Sequence, residues 1–190
     1  MIEGFLTVTG IKLANGKKMS NQRAVDVGLI KPFHTKPAGW GIGREEIPLG
    51  FNTMVDNGRQ MMTYLLGGRT PTDSYKCSRF GIGTGTDVTN TARTELANPI
   101  AFYAPDPGAP TVLVNTKPIV GADYPAPFIV RIEFELTEAE AANNVITEFG
   151  LYAADTSAPT VNTTLITRKV CLGVPKDSTW APTFLWRIRV

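Results

Sequence analysis

The sequence predicts a mainly β protein, an antiparallel β-sandwich or small barrel with one flanking α-helix at about residues 52–66 and long Pro/Gly-rich extensions. Three observations lead to that class. In FIVRIEFEL, Phe128, Val130, Ile132, Phe134 and Leu136 alternate with Ile129, Arg131, Glu133 and Glu135, the period of an antiparallel strand with one buried face. The strand-like runs VITEFGLYAA, TLITRKVCLG and TFLWRIRV follow at the short spacing of a sandwich or barrel. One segment, NTMVDNGRQMMTYLLGG, repeats its apolar residues at helical spacing instead.

Taken in order, IEGFLTVTGIKLANGKKMS has β-type runs on either side of Asn15-Gly16, a dipeptide that accepts positive φ and so favours a tight hairpin. QRAVDVGLI offers another strand. From Pro32 to Gly50, proline and glycine crowd around Phe33 and Trp40, which no regular element tolerates, so this stretch reads as an extended arm. The helix follows, with Asn52 as its N-cap and Gly67 as its stop. Met54, Gly58, Met61 and Leu65, with Val55, Met62 and Leu66 beside them, form a stripe that packs on a sheet. After the strand TDSYKCSRF, the stretch 99–127 holds Pro99, Pro105, Pro107, Pro110, Pro118, Pro125 and Pro127, with VLV as its only strand-like run, and reads as a long loop. The organisation expected is therefore residues 1–51 as an N-terminal hairpin and arm, and 52–190 as the β core. Removing residues 1–50 should then leave a folded core that no longer assembles.

Composition narrows the function classes. The chain has 190 residues, enough for one ordinary core, with 43% hydrophobic and 19% charged residues, the balance of a folded protein rather than a disordered one. A net charge of +2 gives no general attraction to nucleic acid or an anionic membrane. Met1 leads directly into IEGFLTVTG without a basic stretch and apolar core, so no secretory signal is expected, and no run of about 18 apolar residues suggests a membrane span. Cys77 and Cys171 lack zinc-ligand spacing and read as small buried hydrophobes, with a disulfide within or between chains as the alternative.

The segment FGIGTGTD raises the question of phosphate binding. A dinucleotide fingerprint would need a third glycine at position 88, which is Val88, and a Walker loop would need a lysine that is absent. The structural alternative is that alternate glycines let the backbone leave the sheet and lie close to another element. His34 is the single histidine, set in the proline-rich arm, so a nucleophile–base pair has little to build on. Glu133 and Glu135 share a strand face and imitate paired hydrolase carboxylates, but alternating charges on an outer face are the ordinary solvated pattern. Glu45, Glu46, Glu138, Glu140 and Asp106 show no metal-ligand spacing, so no cofactor or metal is expected. Arg168, Lys169, Arg187 and Arg189 read as a modest solvated basic fringe. Trp40, Tyr103 and Tyr124 are candidate ring platforms for sugar, and equally for protein contacts.

The helix NTMVDNGRQMMTYLLGG, then FGIGTGTDVTNTARTELANPI, RIEFELTEAEAANNVITEFGLYA, LITRKVCLG and the terminal TFLWRIRV together resemble a family of tailed-bacteriophage virion proteins, over about residues 52–190. The resemblance implies a neck, collar, tail or baseplate component or a fibre adaptor, assembled in the host cytoplasm into the virion. It brings no catalytic residues with it. On the residues alone, irregular extensions that cannot satisfy their own backbone become ordered against neighbours. The expected function is thus a non-enzymatic, homo-oligomeric ring or collar that contacts other virion proteins, with a capsid-decorating or glycan-binding module as the alternative. Phe33, Trp40, Phe51, Phe102, Tyr103 and Tyr124, aromatics in irregular segments, are the expected contact residues.

Overall fold

The computed structural model describes residues 3–32, 35–38, 40, 42–66, 77–88, 90–103, 114–119, 129–154 and 163–189. In chain order the elements are β1 (Glu3–Leu13), β2 (Lys18–Met19), α1 (Asn21–Asp26), β3 (Ile47–Met54), α2 (Asp56–Leu66), β4 (Cys77–Gly83), β5 (Pro99–Tyr103), β6 (Val114–Ile119), β7 (Ile129–Glu135), β8 (Asn144–Ala154), β9 (Thr163–Lys176) and β10 (Trp180–Arg189). The strands run antiparallel in the order β5-β4-β8-β9-β3-β1-β10-β7-β6, with β2 beside β1. The fold is mainly β, as the sequence predicts: one sheet curled into a half-barrel.

β3 makes the curl. Its residues from Ile47 to Asn52 pair with β1, whereas Thr53 and Met54 pair with Arg168 and Thr167 of β9. Gly50, at φ +108°, sits in this turning strand, where a side chain would be strained. The two halves then close on a common core in which Phe80 of β4 stacks on Phe134 of β7 at 3.4 Å between ring centroids, with Phe184 and Trp186 of β10 beside it. Leu6, Val8, Ile82, Ile132, Ile146 and Leu151 complete that core. Val55, Leu96, Tyr152 and Leu165 form a smaller cluster.

Several expectations about the elements need correction. Residues 1–51 are not an appendage: β1 pairs with β10 on one side and with β3 and β2 on the other, and Phe5, Leu6 and Val8 are fully buried. β3 also runs straight through the expected boundary at residue 51. The turn from β1 to β2 carries Gly16 at φ +78°, the conformation that suits Asn15-Gly16. QRAVDVGLI is not a strand. Its first residues form α1, because the Ser20 side chain accepts a hydrogen bond from the Arg23 N–H and so caps a helical turn. α2 starts at Asp56, not Asn52, since Asn52 is a strand residue opposite Gly4. Within the expected loop 99–127, β5 and β6 are strands, and β6 contains Pro118 on an outermost strand, where a missing N–H is tolerated. Gly67 lies outside the described residues, as do the side chains of Met61, Met62, Leu65 and Leu66.

Candidate functional site: ionic joints and an open groove

Two of the three glycines of FGIGTGTD, Gly83 and Gly85, lie against a carboxylate of the chain itself. A Cβ on Gly83 would lie 2.7 Å, and one on Gly85 2.5 Å, from Oε2 of Glu148 in β8, and Gly83 also lies against the Asn98 carbonyl. Glu148 is fully buried and accepts hydrogen bonds from the Ala97 N–H at 2.7 Å, the Asn98 N–H at 3.2 Å and Arg168 Nε at 2.5 Å. Arg168 of β9 in turn donates to the Asp87 carbonyl and side chain at 3.2 and 3.1 Å, and Asp87 pairs with Arg93. This chain of alternating charges pins the irregular segment 84–98 to the sheet. Charged groups buried this deeply persist because each meets an opposite charge or a hydrogen-bond donor. Leu96 completes the attachment by donating its N–H to the Tyr152 hydroxyl at 3.1 Å; burial pushes that phenol's pKa up.

A second joint holds the strap, described at residues 35–38, 40 and 42–46, to the outer face of the sheet. Arg187 of β10, fully buried, donates to both carboxylate oxygens of Glu46 at 2.8 and 2.6 Å, and Thr7 of β1 donates to the same carboxylate at 2.6 Å. Burial pushes the Glu46 pKa up, but the hydrogen bonds from Arg187 and Thr7, the Arg187 charge and the Gly43 N–H more than offset it and hold the carboxyl below its ordinary value. Trp40 of the strap seats against Phe5 and Phe51, with ring centroids 6.0 and 5.8 Å away, and lies under the Arg189 guanidinium.

These joints change the reading of several candidate residues. The basic fringe is not solvated where it matters: Arg168 and Arg187 are wholly buried, and Lys169 is buried with its ammonium pulled down to about 8 by desolvation. Trp40 is only 3% exposed and folds back on its own sheet, which removes it as a sugar platform or free contact residue, whereas Phe51 is 43% exposed at the edge of the same cluster. Phe102 and Tyr103 belong to β5, opposite Gly81 and Phe80 of β4. Their side chains lie outside the described residues, and so do Phe33, His34, Tyr124 and the side chain of Cys77. Cys171 is a free, buried thiol in the core whose pKa burial raises. The register speaks against a bond between it and Cys77 of the same chain. Cys77 lies opposite Ala153, while Val170, next to Cys171, lies opposite Glu148, five residues along β8. That separation of roughly 17 Å far exceeds disulfide reach.

Glu133 and Glu135 are exposed on the outer face of β7, as their alternation predicts, yet a groove does open beside them. Its volume is about 550 Å³, its floor includes Gly10 and Thr183, and its other margin carries Lys12 and Lys18, with Glu45 and Asn21 near α1. Asn21 is buried and donates through its amide to the Thr9 and Glu45 carbonyls, fixing α1 at the groove. Among the described residues, no group of three or more His, Cys, Asp or Glu side chains is arranged to hold a metal ion, and no helix is long and apolar enough to cross a membrane.

Sequence reasoning missed the members of both joints, Glu46, Asp87, Arg93, Glu148, Arg168 and Arg187, as partners. The available signal was weak: Glu148 and Asn98 stand in the quoted segments, but one chain does not say which carboxylate meets which guanidinium. No protein-family model matches this chain, and no curated protein or solved structure matches it.

Proposed function

We propose that this chain is a non-enzymatic structural component of a tailed phage particle, a homo-oligomeric ring or collar at the neck or tail that contacts neighbouring virion proteins. One observation carries the reading. The separate sequence segments on which the phage resemblance rests meet in space, with Gly83, Gly85, Leu96 and Asn98 from the first packed around Glu148 and Gly150 from the second. A Cβ on Gly150 would come within 2.9 Å of Leu96, so the glycine in GLYA and the leucine in TELAN fit one another. Spaced residues that form one joint are what a shared architectural unit would require, and this supports the reading.

The physical role follows from what the buried charges do. Both ionic joints fasten irregular segments to a sheet, which makes a stiff body with fixed surface loops. The outermost strands β5 and β6 each pair on one side only among the described residues, and the outer row of N–H and C=O groups on such strands can accept a neighbour's strand. Ring symmetry then repeats each contact around the particle. The test is biochemical. Particles released by the cells that encode the chain, banded on a density gradient, are expected to contain it in fixed stoichiometry, and gold-labelled antibody is expected at one end of the particle. Presence only in the soluble fraction, never on particles, would overturn the reading.

A further inference from the structure

The groove beside β7 has an arrangement that neither the fold nor the joints require. Glu133 and Glu135 line one margin, Lys12 and Lys18 the other, and all four are exposed. β10 and β1 separate the two sides: Glu135 lies opposite Thr183, and Thr183 lies opposite Gly10, two residues before Lys12. At about 4.8 Å per strand, the backbone of Lys12 lies roughly 10 Å and that of Lys18 roughly 14 Å across the sheet from the glutamate strand. Among the described residues, none of the four forms an ion pair. Gly10, which has no side chain, keeps the floor between them low.

We infer that this groove is the docking surface for a second copy of the chain. The inference rests on the oligomeric part of the function proposed above and names one surface of it, a two-fold contact that pairs copies and is distinct from the head-to-tail contacts that close a ring. Two acids facing two bases across a single groove form a self-complementary pattern: a two-fold axis lying along the groove places the partner's lysine margin over the glutamate margin, and the reverse, so these four charges are matched at once, while Glu45 stands outside the exchange near α1. A small-molecule occupant fits less well, because such ligands favour concave, mainly apolar walls with aromatic rings, and this groove is open and has no aromatic residue among the described residues that line it. Exposed ion pairs set register and encounter rate more than affinity, so the association is salt-sensitive.

The experiment uses the full-length protein and two double variants, Lys12→Glu with Lys18→Glu, and Glu133→Lys with Glu135→Lys. The first leaves only acids among the charged groups described in the groove, and the second makes the β7 margin basic with Glu45 as the one acid left in the described lining. All four sites are exposed, and thermal melts of each variant check that the fold is kept. Sedimentation velocity at low and high salt is run on the wild type, on each variant and on their equimolar mixture. The wild type is expected to self-associate, each variant alone at least tenfold more weakly, and the mixture to recover association that fades with salt. A wild type that oligomerises together with variants that do so equally well would overturn the inference, leaving the groove to another occupant while the oligomeric reading stands. A wild type that stays monomeric at every salt concentration would sink both.

Discussion

Glu46 places a carboxylate against a wholly buried guanidinium, and its titration is therefore tied to the attachment of the strap. Its folded-state pKa is lowered, so the folded protein binds fewer protons than the unfolded chain as the pH falls into the carboxylate range. The stability it contributes is present in full above the unfolded value and is lost as the pH falls through the lower, folded one. Glu46→Gln is expected to cost about 3 kcal/mol near neutrality, the usual order for breaking a buried pair from one side. It is also expected to flatten the acid limb of the stability profile, read by urea denaturation at successive pH values. An unchanged acid limb in the variant would place the loss on other carboxylates. At this scale the sequence was legible on one face only. The alternation of Phe184, Trp186 and Ile188 marks the core side of β10 correctly, and all three are buried. It cannot reveal that Arg187, on the other side, is covered by Glu46, 141 residues away in the chain.

α2 meets β9 through Gly58, where a Cβ would lie 2.3 Å from the Ile166 carbonyl oxygen. In an exposed helix, glycine to alanine stabilises by about 1 kcal/mol, because alanine loses less backbone freedom on folding. Here the methyl group would collide with backbone, and backbone moves only if the helix does. Gly58→Ala is therefore expected to destabilise by roughly 1–3 kcal/mol, the range for overpacking. Chemical denaturation decides it, and a stabilised variant would contradict the close approach of α2 to β9. Gly58 was legible as part of the helix stripe, but not the reason for its being glycine. The helix start was misplaced for a related reason: Asn52 is a good capping residue in isolation, yet the pairing of β3 with β1 and then β9 holds the chain extended to Met54. From Pro32 to Gly50 the chain was read from its prolines and glycines as irregular, which the described residues bear out as far as Glu46, while Ile47–Gly50 open β3. The strap's direction, inward through Trp40, depends on an aromatic seat made by β1 and β3 that no local pattern announces.

For the whole molecule, strand order decides which parts can be removed. The alternating and apolar strands predicted an antiparallel sandwich or small barrel, but order within the sheet joins residues far apart in sequence and left no local trace. β1 is the first strand in the chain and lies in the middle of the sheet, between β3 and β10. Deleting residues 1–50 removes Phe5, Leu6, Val8 and Ile11 from the core, takes Thr7 and Glu46 from Arg187, and exposes the β1-facing edge of β10. It also removes Ile47 and Leu49, the buried apolar residues in the first half of β3. Each large apolar side chain lost from a core costs about 2–5 kcal/mol, and a domain of this size is stable by only about 5–15 kcal/mol, so the losses exceed the whole margin. The truncated chain is therefore expected to lack a cooperative thermal transition and the near-ultraviolet dichroism of packed aromatic rings, in contrast to the folded core that the sequence suggested. If it instead melted sharply and kept that signal, β1 would have to be replaceable by another segment, and the central place of the N-terminal strand would be wrong. Because these residues are structural, assembly cannot depend on swinging the first fifty residues away from the body. Under the proposed assembly, the surfaces left for neighbours among the described residues are those of the folded sheet itself, its outermost strands and the charged groove beside β7.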